Sequence, residues 1–351
     1  GGNYCAGGAG VHITLSGSNT GITYQLKNGA TPVGSALPGT GLALDFGSIT
    51  GPGTYTVEAT NNTTACVNTM SGTANVVVNP LPTVYSVAST SSTYCSGGGG
   101  VNIWLNNSDA GITYQLYNGS TTVGSALSGT GSLVNFGYQL AAGSYTVVAR
   151  NPATGCTNLM ASGVTIVVNP LPVVYTVTGG GGYCNGGAGV NIGLSGSNAG
   201  VSYQLMLSGS AVGTPVSGTG SAISFGLQTA AGNYTVVATN LATTCVNNMS
   251  GSATVVINSL PPAFTVTGGG NYCSGGTGSV VGLSGSTLGV NYQLYAAGVA
   301  TGSPVAGTGS GINFGLQTSA GVYTVGATNT VTGCTANMTG TATIVVNPLP
   351  T

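Results

Sequence analysis

An all-β chain built from four tandem copies of one β-sandwich is what this sequence predicts, and three observations predict it. Eight cysteines stand on a fixed ruler: Cys5, Cys95, Cys184 and Cys273 step by 90, 89 and 89 residues, and Cys66, Cys156, Cys245 and Cys334 step by the same amounts. Within each copy the two cysteines lie 61 residues apart (66−5, 156−95, 245−184, 334−273). Apolar and polar residues alternate over short runs, as in half-buried strands, and no segment repeats with a helical period. Turn signals rich in Gly, Asn and Ser separate those runs at the spacing of a sandwich. A period near 89 residues marks an array of like domains rather than one large globule.

The boundaries follow the phrase Asn-Pro-Leu-Pro, which recurs at Asn79, Asn169 and Asn347, with Asn258-Ser259-Leu260-Pro261 as its variant. They divide the chain into repeats 1–82, 83–172, 173–261 and 262–351. Proline fixes φ and biases its predecessor toward extended backbone, so these joints read as stiff linkers that hold the repeats in an extended rod. Repeat 1 lacks the strand-like segment that precedes the first cysteine elsewhere, at 83–88 or 173–177. The chain therefore reads as a piece of a longer array or as a processed form.

Repeat 2 gives the elements in order. Val84-Tyr85-Ser86-Val87 alternates as a short strand, and the Cys95 region with the run Gly97 to Gly100 reads as a turn. Val101-Asn102-Ile103-Trp104-Leu105 and Ile112-Thr113-Tyr114-Gln115-Leu116 alternate next, and Asn118-Gly119 signals a hairpin. Strands follow from Thr122 to Leu127, from Leu133 to Phe136, from Gly143 to Ala149 and from Thr165 to Val168. The expectation is about seven strands per repeat.

The same landmarks recur in all four copies. Phe46, Phe136, Phe225 and Phe314 each precede a glycine, and Met70, Met160, Met249 and Met338 stand four residues after the second cysteine. Both sets read as core packing. Tyr55, Tyr145, Tyr234 and Tyr323 open the penultimate strand in the phrase Gly-x-Tyr-Thr-Val. That placement resembles the tyrosine corner of Ig-like sandwiches, in which the hydroxyl ties down a backbone crossover. Cys-x-Gly-Gly, then Tyr-Gln-Leu, Gly-x-Tyr-Thr-Val-x-Ala-x-Asn, the second cysteine and Val-Val-Val-Asn-Pro-Leu-Pro together resemble the tandem Ig-like repeats of very large secreted Bacteroidetes surface proteins, of adhesin and gliding type. The resemblance implies secretion, a place at the cell surface and a role in adhesion or scaffolding.

Charge excludes several classes of function. Lys27, Arg150, Asp45, Glu58 and Asp109 are the only Lys, Arg, Asp and Glu residues among 351. No basic patch exists for nucleic acid or anionic lipid, and no run of 18 or more apolar residues provides a membrane-inserting helix. So little charge also leaves side-by-side copies without electrostatic repulsion, which suits self-association into a filament or bundle that is insensitive to salt.

Chemistry is equally sparse. His12, Asp45, Glu58 and Asp109 are the acid–base candidates, and none recurs at its aligned positions: Asp45 aligns with Asn135, Ser224 and Asn313. A repeated enzyme would repeat its acids, so neither enzyme activity, a catalytic residue nor a cofactor is expected. Three carboxylates cannot furnish calcium sites in every repeat, no Cys-x-x-Cys suggests zinc, and no metal is expected. Sheet faces rich in Thr, Ser, Asn and Tyr leave glycan, and as a lesser alternative ice, as a possible ligand of an adhesin array.

The cysteines themselves imply disulfides and an oxidising, extracellular setting. Two pairings stay open. Each repeat could close its own bridge (Cys5–Cys66, Cys95–Cys156, Cys184–Cys245, Cys273–Cys334), worth roughly 4 kcal/mol in the chain-entropy model. Alternatively bridges could staple neighbours (Cys5–Cys156, Cys95–Cys245, Cys184–Cys334), because the turns carrying the two cysteines fall at opposite ends of a sandwich; Cys66 and Cys273 are then left for neighbouring modules or subunits. The resulting expectation is a non-enzymatic structural segment of a surface filament or adhesin stalk.

Overall fold

The computed structural model describes residues 1–350, all in strands, turns and loops. The chain divides into two compact units, Gly1–Pro170 and Leu171–Thr351. Each holds two of the sequence repeats.

In the first unit, repeat 1 forms β1 (Gly2–Cys5), β2 (Val11–Leu15), β3 (Ile22–Asn28), β4 (Thr31–Pro38), β5 (Leu44–Ile49), β6 (Gly53–Asn61), β7 (Val67–Thr69) and β8 (Ala74–Asn79). Repeat 2 forms β9 (Val87–Ser89), β10 (Thr93–Cys95), β11 (Val101–Leu105), β12 (Thr113–Asn118), β13 (Thr121–Ser128), β14 (Val134–Gln139), β15 (Gly143–Arg150), β16 (Thr157–Leu159) and β17 (Val164–Asn169). One sheet of repeat 2 runs β10-β17-β15-β12-β13 with β16 also on β15; the facing sheet runs β14-β11-β9. Only β10 on β17 is parallel. A first strand that leaves one sheet and rejoins the other parallel to the last strand is the Ig-like arrangement, so the all-β, Ig-like reading of the sequence is what the strand order shows.

The alternation explains why these residues form these strands. β11 buries Val101, Ile103 and Leu105 and turns Asn102 and Trp104 outward, while β15 buries Tyr145, Val147 and Ala149. These inner faces meet in one core with Leu116, Val134, Met160 and Ile166. Repeat 1 has its own smaller core around Ile13, Tyr24, Leu26, Tyr55, Val57 and Val76. The hairpin at Asn118-Gly119 is a two-residue turn in which Gly119 takes φ +60°, a conformation that glycine adopts without steric cost.

The second unit repeats this plan twice, with cores centred on Tyr203 and Tyr234 and on Tyr292 and Tyr323. In both, the first strand again lies antiparallel on its neighbour (Val177–Gly179 on Val190–Leu194, Val266–Gly268 on Ser279–Leu283).

The count differs from the seven strands expected. Repeat 1 has eight described strands and repeat 2 has nine. The additions are very short: β10 and β16 have three residues each. The Cys95 region, read from sequence as a turn, is the end of β10, whose partner is β17, 74 residues away (169−95). A three-residue strand has no alternation long enough to recognise; only its distant partner defines it.

Candidate functional site

The second cysteine of each repeat is delivered by a tight turn that the local sequence dictates. Asn61, Asn151, Asn240 and Asn329 each accept, at the side-chain oxygen, the N–H two residues on, at 2.9–3.0 Å. The residue just before the cysteine then turns into the left-handed region: Ala65 at φ 55°, Gly155 at 74°, Thr244 at 59° and Gly333 at 71°. Its N–H donates back to the asparagine carbonyl, closing the turn at 2.8–2.9 Å. The first cysteine ends the strand parallel to the last one; Cys5 lies opposite Asn79 at the far end of β8. Along β6, Val67 beside Cys66 pairs with Thr60 near one end, while Val76, three residues before Asn79, pairs with Gly53 at the other; bridged Cα atoms lie within about 7 Å. The two cysteines of a repeat therefore point out of opposite ends.

The bonds accordingly run between repeats. Cys5 is joined to Cys156, with Cα atoms 5.6 Å apart, and Cys184 to Cys334, with Cα atoms 5.5 Å apart. Cys95 and Cys245 are disulfide-bonded as well. Cys66 and Cys273 are exposed free thiols, the two cysteines that the neighbour-stapling pairing leaves over. When each bond links a first cysteine to the second cysteine of the following repeat, the second cysteine of repeat 1 and the first of repeat 4 have no counterpart within the chain.

A proline contact accompanies two of the three joints. Asn158 donates its side-chain N–H to the Pro82 carbonyl at 2.9 Å, and Asn247 does the same to Pro172 at 2.9 Å. Pro82, Pro172 and Pro261 are all buried. Just beyond, Tyr85 lies in the gap between the two sheets. Its backbone N–H approaches the Met160 sulfur at 3.4 Å, its carbonyl accepts from Ala161 N–H at 2.9 Å, and its hydroxyl donates to Asp109 at 2.6 Å. Tyr175 and Phe264 make the same sulfur contact with Met249 and Met338. In repeat 1 no described residue takes the place of Tyr85, Tyr175 or Phe264 beside Met70. A cleft of about 240 Å³ opens there, lined by Ile22, Tyr24, Ala59 and Met70 with Cys66 and Asn68 at its rim.

The tyrosines that open the penultimate strand are buried, and each hydroxyl donates to the carbonyl four residues upstream. Tyr55 reaches Gly51 at 2.7 Å, Tyr145 reaches Ala141 at 2.8 Å, Tyr234 reaches Ala230 at 2.8 Å and Tyr323 reaches Ser319 at 2.9 Å. A second tie, absent from the sequence reading, lands beside the first: Tyr94, next to Cys95, donates to the Leu140 carbonyl, and Tyr4, Tyr183 and Tyr272 make the equivalent bond. The repeated Tyr-Cys dipeptide was the available signal.

The acid–base candidates do meet in one place. His12 Nδ1 and Asp45 Oδ2 lie 2.8 Å apart across β2 and β5, on exposed side chains. The Gly47 N–H, and after it the His12 bond, hold the Asp45 carboxyl below the ordinary carboxylate value. In repeat 3 the same positions carry Asn191 and Ser224, which hydrogen-bond at 2.6 Å. The pair is thus a charged version of a cross-strand tie. Lys27 and Glu58 form a second ion pair among the described residues, at 2.5 Å. Asp109 is held below its ordinary value chiefly by the Tyr85 hydroxyl. Among the described residues no three His, Cys, Asp or Glu side chains gather where they could hold a metal.

No protein-family model matches the sequence, and no curated protein is similar to it. Solved structures with similarity include Sidekick-1 immunoglobulin domains 1–4, at 14% identity, TM-score 0.29, over 98% of this chain and 96% of that one. The D1–D4 ectodomain fragment of ICAM-5 aligns at 13% identity, TM-score 0.40, over 98% and 97%. The mouse nectin-like molecule 4 ectodomain aligns at 13%, TM-score 0.34, over 73% and 97%. Scores at this level carry no weight for arrangement, ligand or partner; the strand order and register establish the fold.

Proposed function

We propose that this chain is a non-enzymatic, extracellular structural segment of a surface filament or adhesin stalk. It is composed of four Ig-like domains at 1–82, 83–172, 173–261 and 262–351 that follow one another as a stiff rod. One observation carries this reading: the disulfides Cys5–Cys156 and Cys184–Cys334 join neighbouring repeats instead of closing each repeat on itself. A bond inside a domain stabilises that domain; a bond between domains removes the freedom of the joint, which serves a load-bearing or spacing role. Disulfides persist in oxidising compartments, which fits an extracellular location. The sequence's resemblance to secreted Bacteroidetes surface repeats points the same way. The proline linkers add stiffness, and the tyrosine corners at Tyr55, Tyr145, Tyr234 and Tyr323 fix each domain's upper crossover.

Small-angle scattering of the chain, with and without reductant, tests the reading. Elongation with little bending is expected when oxidised, and a broader distribution of end-to-end lengths when reduced. A compact particle under oxidising conditions would refute it. A glycan-binding adhesin is the second reading. It is favoured by a hollow of about 240 Å³ on repeat 2, lined by Thr113, Gln115, Tyr117, Thr122 and Arg150. A glycan screen with wild type and Arg150→Ala checks that reading.

A further inference from the structure

Resting on the structural-rod reading, we propose that the chain joins head to tail with a second copy of itself, Cys273 of one copy forming a disulfide with Cys66 of the next. The two free thiols are complementary halves of the bond seen twice within the chain, where a first-type cysteine (Cys5, Cys184) meets a second-type cysteine (Cys156, Cys334). Cys273 is first-type and Cys66 second-type. Pairing them extends the existing rule by one step.

An independent contact marks the same two faces. At the first two joints, the linker proline is buried and its carbonyl accepts from an asparagine two residues past the second cysteine, Asn158 to Pro82 and Asn247 to Pro172; at the third, Ala336 stands in the asparagine's place. The corresponding asparagine of repeat 1 is Asn68, which is exposed beside Cys66 on the rim of the open cleft. The corresponding proline after repeat 4 is Pro350, also exposed, in the phrase Asn347-Pro348-Leu349-Pro350. One face thus presents Cys66, Asn68 and an open cleft, and the other presents Cys273 and Pro350. The second copy is expected to set the Pro350 carbonyl on Asn68 as the sulfurs meet. A net charge of −1 over 351 residues opposes the approach of copies very weakly.

Forming the bond needs a two-electron oxidant, here a small-molecule disulfide such as oxidised glutathione. The Cys66 thiolate attacks one sulfur of that disulfide, releasing one reduced thiol and leaving a mixed disulfide. The Cys273 thiolate of the second copy attacks the Cys66 sulfur, releasing the other thiol. Two protein thiols are oxidised to one disulfide, and one small disulfide is reduced to two thiols.

The test is non-reducing electrophoresis of the purified chain in a glutathione redox buffer, with wild type, Cys66→Ser, Cys273→Ser and an equimolar mixture of the two variants. Peptide mapping that recovers Cys5–Cys156 and Cys184–Cys334 verifies that each variant is folded. Wild type is expected to give a ladder of multimers that collapses on reduction. Each variant alone should stay monomeric, a complete loss of the ladder, and the mixture should yield heterodimer joined through Cys66 and Cys273. Like-to-like dimers in the single variants, a Cys66–Cys273 bond within one chain, or monomers capped by glutathione would overturn the proposal. Scattering on those monomers separates the two readings: elongated monomers leave the rod intact while removing the joint, and compact ones remove both.

Discussion

Ser108 is 2% exposed and serves as a polar hub for the loop that closes the sheet edge of repeat 2. Its hydroxyl donates to the Ser132 carbonyl at 2.6 Å and accepts from the Thr130 N–H at 3.0 Å. Ser18, Ser197 and Ser286 do the same in the other repeats. Gly129 completes the arrangement, since a Cβ there would stand 2.1 Å from the Asp109 carbonyl oxygen. Ser108→Ala removes both bonds; because Thr130 and Ser132 are exposed and their freed groups can turn to water, a loss of about 1 kcal/mol is expected in denaturant unfolding of repeat 2. The same residues set the pH behaviour. Burial raises the hydroxyls of Tyr114, Tyr145 and Tyr234 above the ordinary 10.0, and Asp109 is lowered from 3.8. A raised group contributes stability that is present below its unfolded value and lost as pH climbs past it. A lowered carboxylate contributes stability that is present above its unfolded value and lost as pH falls through the folded one. Thermal stability should therefore be flat from about pH 5 to 9, fall above pH 10 and fall again below about pH 4. A melting temperature that changes steeply near pH 6–7 would contradict this assignment.

At the scale of the element, Tyr-Gln-Leu is explained by a register shift. The pairing of β12 with β13 slips between Tyr114 and Leu116, and Gln115 covers the gap by donating its amide to Leu116 and Val123 carbonyls at 2.9 and 3.0 Å. Gln25, Gln204 and Gln293 make the same pair of bonds. Gln115→Ala should cost about 1 kcal/mol and speed amide exchange along β13 while sparing β17; equal exchange in both strands would show that the bulge needs no such support. The motif was visible in the sequence, and its purpose was not, because a slip in register appears only when two strands are paired. The longer strands were legible for the opposite reason: five to nine alternating residues carry their own inside and outside. Met160, Met249 and Met338 are core residues as expected, while Met70 is only half-buried, with no described counterpart of Tyr85, Tyr175 or Phe264 over its sulfur. The His12–Asp45 pair was missed because β2 and β5 are 33 residues apart at that contact (45−12).

For the molecule as a whole, the cysteine ruler made the array legible but left the pairing open. Spacing is identical whether a repeat closes on itself or bonds its neighbour; what decides is which end of the sandwich each cysteine leaves from. That depends on β1 lying parallel to β8, a feature held by a four-residue strand with weak local signal. The same placement turns the bonded cysteines from domain staples into joints, and the functional account rests on it. Peptide mapping of the native, unreduced chain is the direct test. The account expects peptides carrying Cys5 linked to Cys156 and Cys184 linked to Cys334; recovery of Cys5 linked to Cys66, or Cys273 linked to Cys334, would contradict it.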